Sequence, residues 1–446
     1  MTNLGDIRRV LGYRDFRYLW LAQGASVIGD NIVLVALALY VIGKTGSATD
    51  LGLVLAAKSL PLVAFLLVGG VWADRLPRHR VMIVTDLVRF SLHALLALLI
   101  FTGAAEIWEV VVIEMLFGVA EAFFRPAANG LLPQTVPERD IQPATAVTSM
   151  SSNVSEFAGP ALATVLVLGA GAGWAFGLDA ATFVLSALLL TQVHPRKRTL
   201  ADIGEQPAGA RTDGALRQQP APPRRSVWAE IREGSREVRA HTWVWATLLS
   251  FCVALFCGLA PWYVLGPLVA RQRYGHLSVY GLVEAAFGFG TIVGSLVGVG
   301  WRPRFPMRMA MIAIMLWPIT SILYAVGATL FLVVPATVVA GIGIALFDVW
   351  WLTALAERMP PEKLSRVTSY DWMVSLGLVP LGYALAGPLA SALGAVQVLV
   401  GGSALAMLAF AFGLLPRETR SLERLGRLEA PSRAEEAVPV FAHHGP

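Results

Sequence analysis

Apolar positions in this chain fall in long continuous runs, not in alternation, and each run is about as long as a helix that crosses hydrocarbon. Crossing ~30 Å of bilayer core takes roughly 20 apolar residues. Twelve such runs are read, at 18–42, 51–73, 81–102, 107–128, 142–167, 173–193, 242–269, 278–300, 308–327, 330–355, 368–391 and 394–415, with short polar connections between most of them. Continuity predicts helices, because a membrane β-barrel would show alternating segments of ~10 residues. The first run is too long for a signal-peptide core and has no clear small-residue cleavage site, so it is expected to stay as the first helix. The predicted fold class is an all-α integral membrane protein, with twelve transmembrane helices in two pseudo-symmetric six-helix bundles.

Composition agrees. With 446 residues, 56% hydrophobic and 15% charged, and a mean hydropathy of +0.63, a soluble enzyme is excluded. Cys252 and Cys257 share one apolar run, and neither a disulfide framework nor a metal-ligand spacing is present. No phosphate-cradling Walker loop appears, and no cofactor is expected. The net charge of +5 is topological. When the runs are threaded alternately, 30 of the 35 Lys and Arg fall on one side, only Lys44, Arg271 and Arg273 fall opposite, and Lys58 and Arg89 lie within runs. The positive-inside rule then puts both termini in the cytoplasm, in a cell membrane, and no nucleic-acid partner is expected.

Organisation follows from the break in the middle. Residues 1–194 form a first bundle, 195–240 a cytoplasmic linker, 241–416 a second bundle and 417–446 a tail. The linker is rich in Pro, Gln, Ala and Arg; after Ser226, Val227, Trp228, Ile231 and Val238 recur at helical spacing and predict an interfacial helix over 226–240, on lipid or on protein. An ungapped shift of 229 residues places Gly52-Leu53-Val54 on Gly281-Leu282-Val283, Ala56-Ala57 on Ala285-Ala286, Gly69 on Gly298, Trp72 on Trp301 and Arg75 on Arg304. Val136-Pro137-Glu138 is likewise echoed by Met359-Pro360-Pro361-Glu362. The two bundles therefore read as an internal repeat.

At the end of the second run stands Gly70-Val71-Trp72-Ala73-Asp74-Arg75-Leu76-Pro77-Arg78-His79-Arg80. It resembles the signature loop of the major facilitator superfamily, with Pro77 where many members carry glycine. The matching loop Trp301-Arg302-Pro303-Arg304 has lost the acid, with Pro303 in the place of Asp74. Phe16-Arg17-Tyr18-Leu19-Trp20 with Gly29-Asp30, Phe123-Phe124-Arg125-Pro126-Ala127-Ala128-Asn129, Leu131-Leu132-Pro133, Gly177-Leu178-Asp179-Ala180-Ala181-Thr182-Phe183 and Arg366-Val367-Thr368-Ser369 look like the twelve-helix drug:proton antiporters, the group of macrolide-efflux proteins and the enterobactin exporter. The resemblance spans residues 14 to about 415. It implies a cytoplasmic gate in which Gly70, Asp74, Arg75, Arg78 and Arg80 latch the halves together, joined by Asp86, Arg89 and Arg125; ordinary positive-inside charge is the rival reading.

An ionisable side chain near the bilayer centre costs roughly 2.5 to 3.5 kcal/mol on insertion scales, so each one invites a functional reading. Asp30 lies midway along the first run with Gln23 on nearly the same face, and Lys58 at similar depth is its expected partner. The pair reads either as a proton-titrating carboxylate balanced by Lys58 or as a permanent structural bridge. In the fourth run Glu121 and Arg125 are an i,i+4 pair, which leaves Glu114 as the less compensated acid. Glu156, Glu284 and Asp348 are further proton-coupling candidates, or else helix–helix hydrogen-bonding residues. Asp86 and Arg89, three apart near the cytoplasmic side, read as a local gate pair. Gly290, Gly294 and Gly298 permit a close helix approach. Gln23, Phe256, Trp262, Trp317, Trp350 and Trp351 are the candidates for lining a substrate pocket, against lipid-facing placement of the aromatics.

The expected function is a monomeric secondary exporter that moves amphipathic small molecules, drugs or natural products, in exchange for protons by alternating access. Its partners would be that substrate, protons and membrane lipids. The rivals are an uncoupled facilitator or lysolipid flippase of the same fold, and a non-transporting membrane sensor or scaffold.

Overall fold

The computed structural model describes residues 4–195, 236, 238–359, 374, 375 and 377–424. Among the described residues the chain is helical and carries no strand. A short surface helix, α1 (Leu4–Gly12), precedes the first bundle of α2 (Arg14–Thr45), α3 (Ala48–Arg75), α4 (Arg78–Phe101), α5 (Ile107–Leu131), α6 (Ile141–Gly169) and α7 (Ala172–Leu190). The second bundle holds α8 (Thr242–Ala254), α9 (Ala260–Val269), α10 (Ser278–Gly300), α11 (Pro306–Ile314), α12 (Leu316–Ala325), α13 (Leu330–Arg358), α14 (Val379–Leu393) and α15 (Ala395–Gly413), followed by α16 (Arg417–Ser421). Nine stretches among the described residues are long and apolar enough to cross a membrane. The runs on α5, α6 and α14 fall short of that test. α5 carries Glu109, Glu114, Glu121 and Arg125, α6 is rich in Ser and Thr, and α14 is short. With them the order is consistent with twelve crossings.

Local chemistry sets the turns. Gly46 takes a left-handed φ of 67° and its N–H closes on the Ile42 carbonyl, while Lys44 lies in the last turn of α2 and favours its dipole. One residue on, the Ser47 hydroxyl accepts from the Asp50 N–H and starts α3. Glu106 and Glu109 form a reciprocal capping box on α5. Two runs expected as single helices are interrupted. The seventh divides into α8 and α9 with π-helical turns at Leu255–Leu259 and Ala270–Tyr274, and Pro261 cannot donate to the carbonyl four residues back. The ninth breaks at Met315 just before Pro318, for the same reason. The predicted helix over 226–240 lies almost wholly outside the described residues, as do Arg366 to Ser369 and the start of the eleventh run.

Packing reproduces the repeat. In the first bundle α3 lies on α5; in the second α10 lies on α13. Gly118 of α5 leaves no room for a Cβ against the Lys58 backbone, and Gly341 of α13 leaves none against the Phe287 backbone. Lys58 and Phe287 are 229 apart and Gly118 and Gly341 are 223 apart, so the same crossing occurs twice. Between the bundles α3 packs on α14 and α6 on α10, a reciprocal pair of contacts.

The two ends of the molecule differ. At the end carrying the 45–48, 274–278 and 393–395 turns, one buried apolar cluster runs through both bundles, including Leu51, Val54, Trp262, Tyr280, Ala386 and Leu399. At the opposite end, where residues 75–78, 131–141 and 190–195 and so the start of the linker lie, the described residues form two separate clusters. One includes Val10, Phe16, Met82 and Leu131, the other Trp243, Met311, Trp350 and Phe410. The bundles are thus sealed together at the distal end and have independent cores at the linker end.

Candidate functional site

The charged residues inside the first bundle gather into one network that ties five helices together. Arg89 on α4 is buried and its guanidinium bonds the Asp86 carboxylate; a second nitrogen lies 3.6 Å from Asp30 Oδ2 on α2. Ser186 of α7 donates to the other Asp86 oxygen at 2.6 Å. The Arg89 guanidinium carbon also sits 4.0 Å from the Phe124 ring centre and 4.3 Å from that of Phe183, so aromatic faces cover the rest of the cation. One turn further along α4, His93 is fully buried. Its Nδ1 contacts Asp179 Oδ2 on α7, and its Nε2 is 3.5 Å from Glu114 Oε1 on α5. Lys58 Nζ on α3 lies 3.8 Å from the other Glu114 oxygen and 4.4 Å from the Phe117 ring centre.

Position along each helix explains how the network closes. Asp86, Arg89 and His93 are three and four residues apart, so one face of α4 presents all three. Gly29 lets α2 approach α7: a Cβ there would collide with the Asp179 carboxylate and the Thr182 hydroxyl. Asp30, the next residue, therefore lies beside Asp179. Its side chain is 30% exposed, whereas those of Asp86, His93, Glu114 and Asp179 are at 0%. Asp30 is the network's accessible edge.

The pairing differs from the sequence expectation. Lys58 is held by Glu114, and Asp30 by Arg89, so the Asp30–Lys58 bridge does not form. Glu114, expected to be poorly compensated, faces both Lys58 and His93. Asp86 and Arg89 join the network through Asp30, beyond a local gate pair. Glu121 accepts two hydrogen bonds from Arg125, at 2.9 and 2.5 Å. His93 and Asp179 were not among the site candidates. The signals for them were the shared face of α4 and an acid in the middle of the sixth run.

In the gate loop, Arg78 donates to the Gly130 carbonyl at the end of α5 at 2.5 Å, and Arg75 and Arg80 are exposed. Asp74 lies in the last turn of α3; its side chain and that of Gly70 are outside the described set. In the second bundle Trp262 donates to Glu284 at 2.6 Å, both buried. Glu156 and Asp348 are exposed, and Gln23 and Phe256 are half-buried. Trp317, Trp350 and Trp351 lie in the linker-end core of the second bundle, where Trp350 donates to the Trp301 carbonyl at 3.2 Å. At the positions that the repeat pairs with Lys58 and Glu114 stand Phe287 and Thr337, so the second bundle does not repeat that ion pair.

The tail supplies what the second signature loop lacks. Arg304, the repeat partner of Arg75, pairs with Glu423 at 2.9 Å, and Arg424 pairs with Glu357 at the end of α13 at 3.2 Å. Arg358 also donates to the Glu423 carbonyl at 2.5 Å.

Two helical bundles packed together at one end, with nine described stretches apolar enough to cross a membrane and ionisable side chains buried inside the first bundle, define a multi-pass membrane protein of the two-bundle carrier class. The chain belongs to the Major Facilitator Superfamily, whose family model matches residues 19–375. Among its relatives, Macrolide efflux protein A of Streptococcus pyogenes is 25% identical over 388 residues, covering 85% of this chain and 90% of that one. Multidrug efflux pump Tap of Mycolicibacterium fortuitum is 26% identical over 375 residues, covering 82% of this chain and 87% of the other. A solved structure of a bacterial homolog of the human lysosomal transporter Spinster, inward-facing and unoccupied, superposes with a TM-score of 0.67 at 16% identity over 93% of this chain and 98% of its own.

Proposed function

We propose that this chain is a proton-driven exporter of amphipathic small molecules, drugs or natural products, that works by alternating access in a cell membrane with both termini in the cytoplasm. The observation that carries the reading is the buried ionic network of the first bundle, with Asp30 at its accessible edge. Burying charges is costly and is weak evidence for stability, so a buried ionic network of this size is better explained by use. A carboxylate that is exposed and ionised in one conformation, then enclosed and neutral in another, couples proton flow to the rocking of the bundles. Efflux relatives along most of the chain's length support the substrate class and the direction.

With the linker end facing the cytoplasm, the shared distal core corresponds to a closed outer side, which supports an inward-facing reading of this arrangement. Substrate would enter between the bundles from the linker end. The gate loop around Asp74 would meet the second bundle when that end closes. The test is accumulation of a radiolabelled macrolide in proteoliposomes with and without an imposed pH gradient. Gradient-dependent accumulation is expected. Equal flux in both conditions would leave an uncoupled facilitator, and no flux would leave a sensor or scaffold.

A further inference from the structure

The network's contacts decide how many protons it takes up. Outside the self-contained Glu121–Arg125 pair, four carboxylates, Asp30, Asp86, Glu114 and Asp179, face two permanent cations, Lys58 and Arg89, with His93 among them. With a neutral imidazole the sum is two negative charges in a place that disfavours any. The geometry around His93 points the other way. Each ring nitrogen faces a different carboxylate: Nδ1 meets Asp179 and Nε2 lies 3.5 Å from Glu114. A neutral imidazole has one donor only, and would hold a bare lone pair toward a buried oxygen. The ring also stacks on Phe117 at a centroid distance of 4.2 Å and an interplanar angle of 9°, a face that favours a cation.

We propose that His93 is a fixed imidazolium, a positioning residue that keeps Glu114 and Asp179 ionised and so confines exchange to a single proton at Asp30. The reading of Asp30 as the exchange site rests on the proposed function; the charge on His93 does not. All the groups around the ring agree with it. Glu114 and Phe117 face it from α5, Asp179 from α7 with Asp30 beyond on α2, Lys58 reaches the same Glu114 from α3, and Arg89 and Asp86 occupy its own α4. With His93 charged, the four acids exceed the cations by one, and the accessible acid is the one left to neutralise.

The charge is read without a substrate. In full-length protein labelled with 15N-histidine and placed in lipid bilayers, the signal missing from His93→Gln should show both ring nitrogens protonated at neutral pH. A bare ring nitrogen there, with the proton on Glu114, overturns the proposal. Infrared spectroscopy supplies the second measurement. His93→Gln should gain one protonated carboxyl per molecule relative to wild type, and His93→Gln combined with Asp179→Asn should lose that gain, because the pair's charges leave together. An unchanged carboxyl count in His93→Gln overturns it too, and the double variant keeps the test open if the single one does not fold. If these results hold but transport ignores the pH gradient, the proton-driven reading fails while the charge assignment stands.

Discussion

Because Glu114 and not Asp30 holds Lys58, the two acids should respond oppositely to removal of charge. Asp30→Asn leaves Arg89 its contacts with Asp86, Phe124 and Phe183, so expression and thermal midpoint should stay close to wild type. Gradient-driven accumulation should be lost while downhill flux persists, because the amide keeps the shape but cannot exchange a proton. Wild-type accumulation by Asp30→Asn would remove Asp30 from coupling. Glu114→Gln strands Lys58 and His93 in a buried site, a loss of about 3 to 5 kcal/mol by analogy with other broken buried pairs. It should express poorly, and adding Lys58→Met should recover part of the deficit, measured as the thermal midpoint of each variant. The sequence exposed Asp30, Lys58 and Glu114 because a charge stands out in an apolar run. It hid their pairing, since depth along a helix does not give rotation about its axis. His93 escaped notice because an imidazole of ordinary pKa is mostly uncharged at neutral pH, and Asp179 because it was read only as part of a family motif.

Helix ends were legible to within a few residues where Gly, Ser or Glu caps them, and the breaks between α8 and α9 and between α11 and α12 were not. A single Pro is compatible with a straight, kinked or π-bulged helix, and packing selects among these. α1 was also not foreseen, and its anchor is a prediction site. Asp140, in the turn before α6, accepts from Arg9 Nε at 3.0 Å and from the Tyr13 hydroxyl at 2.8 Å. Burial works against its ionised form, but these donors prevail and hold its carboxyl below the ordinary value of 3.8. A folded pKa below the unfolded one stabilises above the unfolded value and is lost as pH falls through the folded one. Asp140→Asn should therefore lower the thermal midpoint by a few degrees at neutral pH, with the gap to wild type closing as pH falls below about 4. A gap independent of pH would show that the carboxylate charge is not what anchors α1. At the other end of the chain, Glu423→Gln should loosen Arg304, and protease access to the tail should increase.

For the whole molecule, the repeat in the sequence announced two bundles but not which end they share, because the closest contacts within the distal apolar core are made by small residues on four helices. Their role follows from what they exclude. Gly281 at the start of α10 leaves no room for a Cβ against Thr164 of α6, Gly52 of α3 leaves none against the Tyr383 carbonyl, and Gly387 of α14 leaves none against Thr49. Arg271 adds a hydrogen bond at 3.1 Å from the second bundle to the Ile42 carbonyl at the end of α2. A side chain at 281 would oppose closure at this end while leaving the open arrangement unhindered, an overpacking cost of about 1 to 3 kcal/mol confined to one state. Gly281→Val should therefore raise the distal-open population by roughly 5-fold to 150-fold. Spin labels at Thr45 and Gln397, one on each bundle at the distal end, report it once Cys252 and Cys257 are replaced by Ser. The expected result is a longer-distance population in Gly281→Val, and its absence from Gly300→Val, where nothing lies within 4 Å of the added carbon at the other end of the same helix. Identical distance distributions in Gly281→Val and wild type would mean that the Gly281 contact yields without moving the bundles, and the seal would have to be sought in Gly52, Gly387 and Arg271.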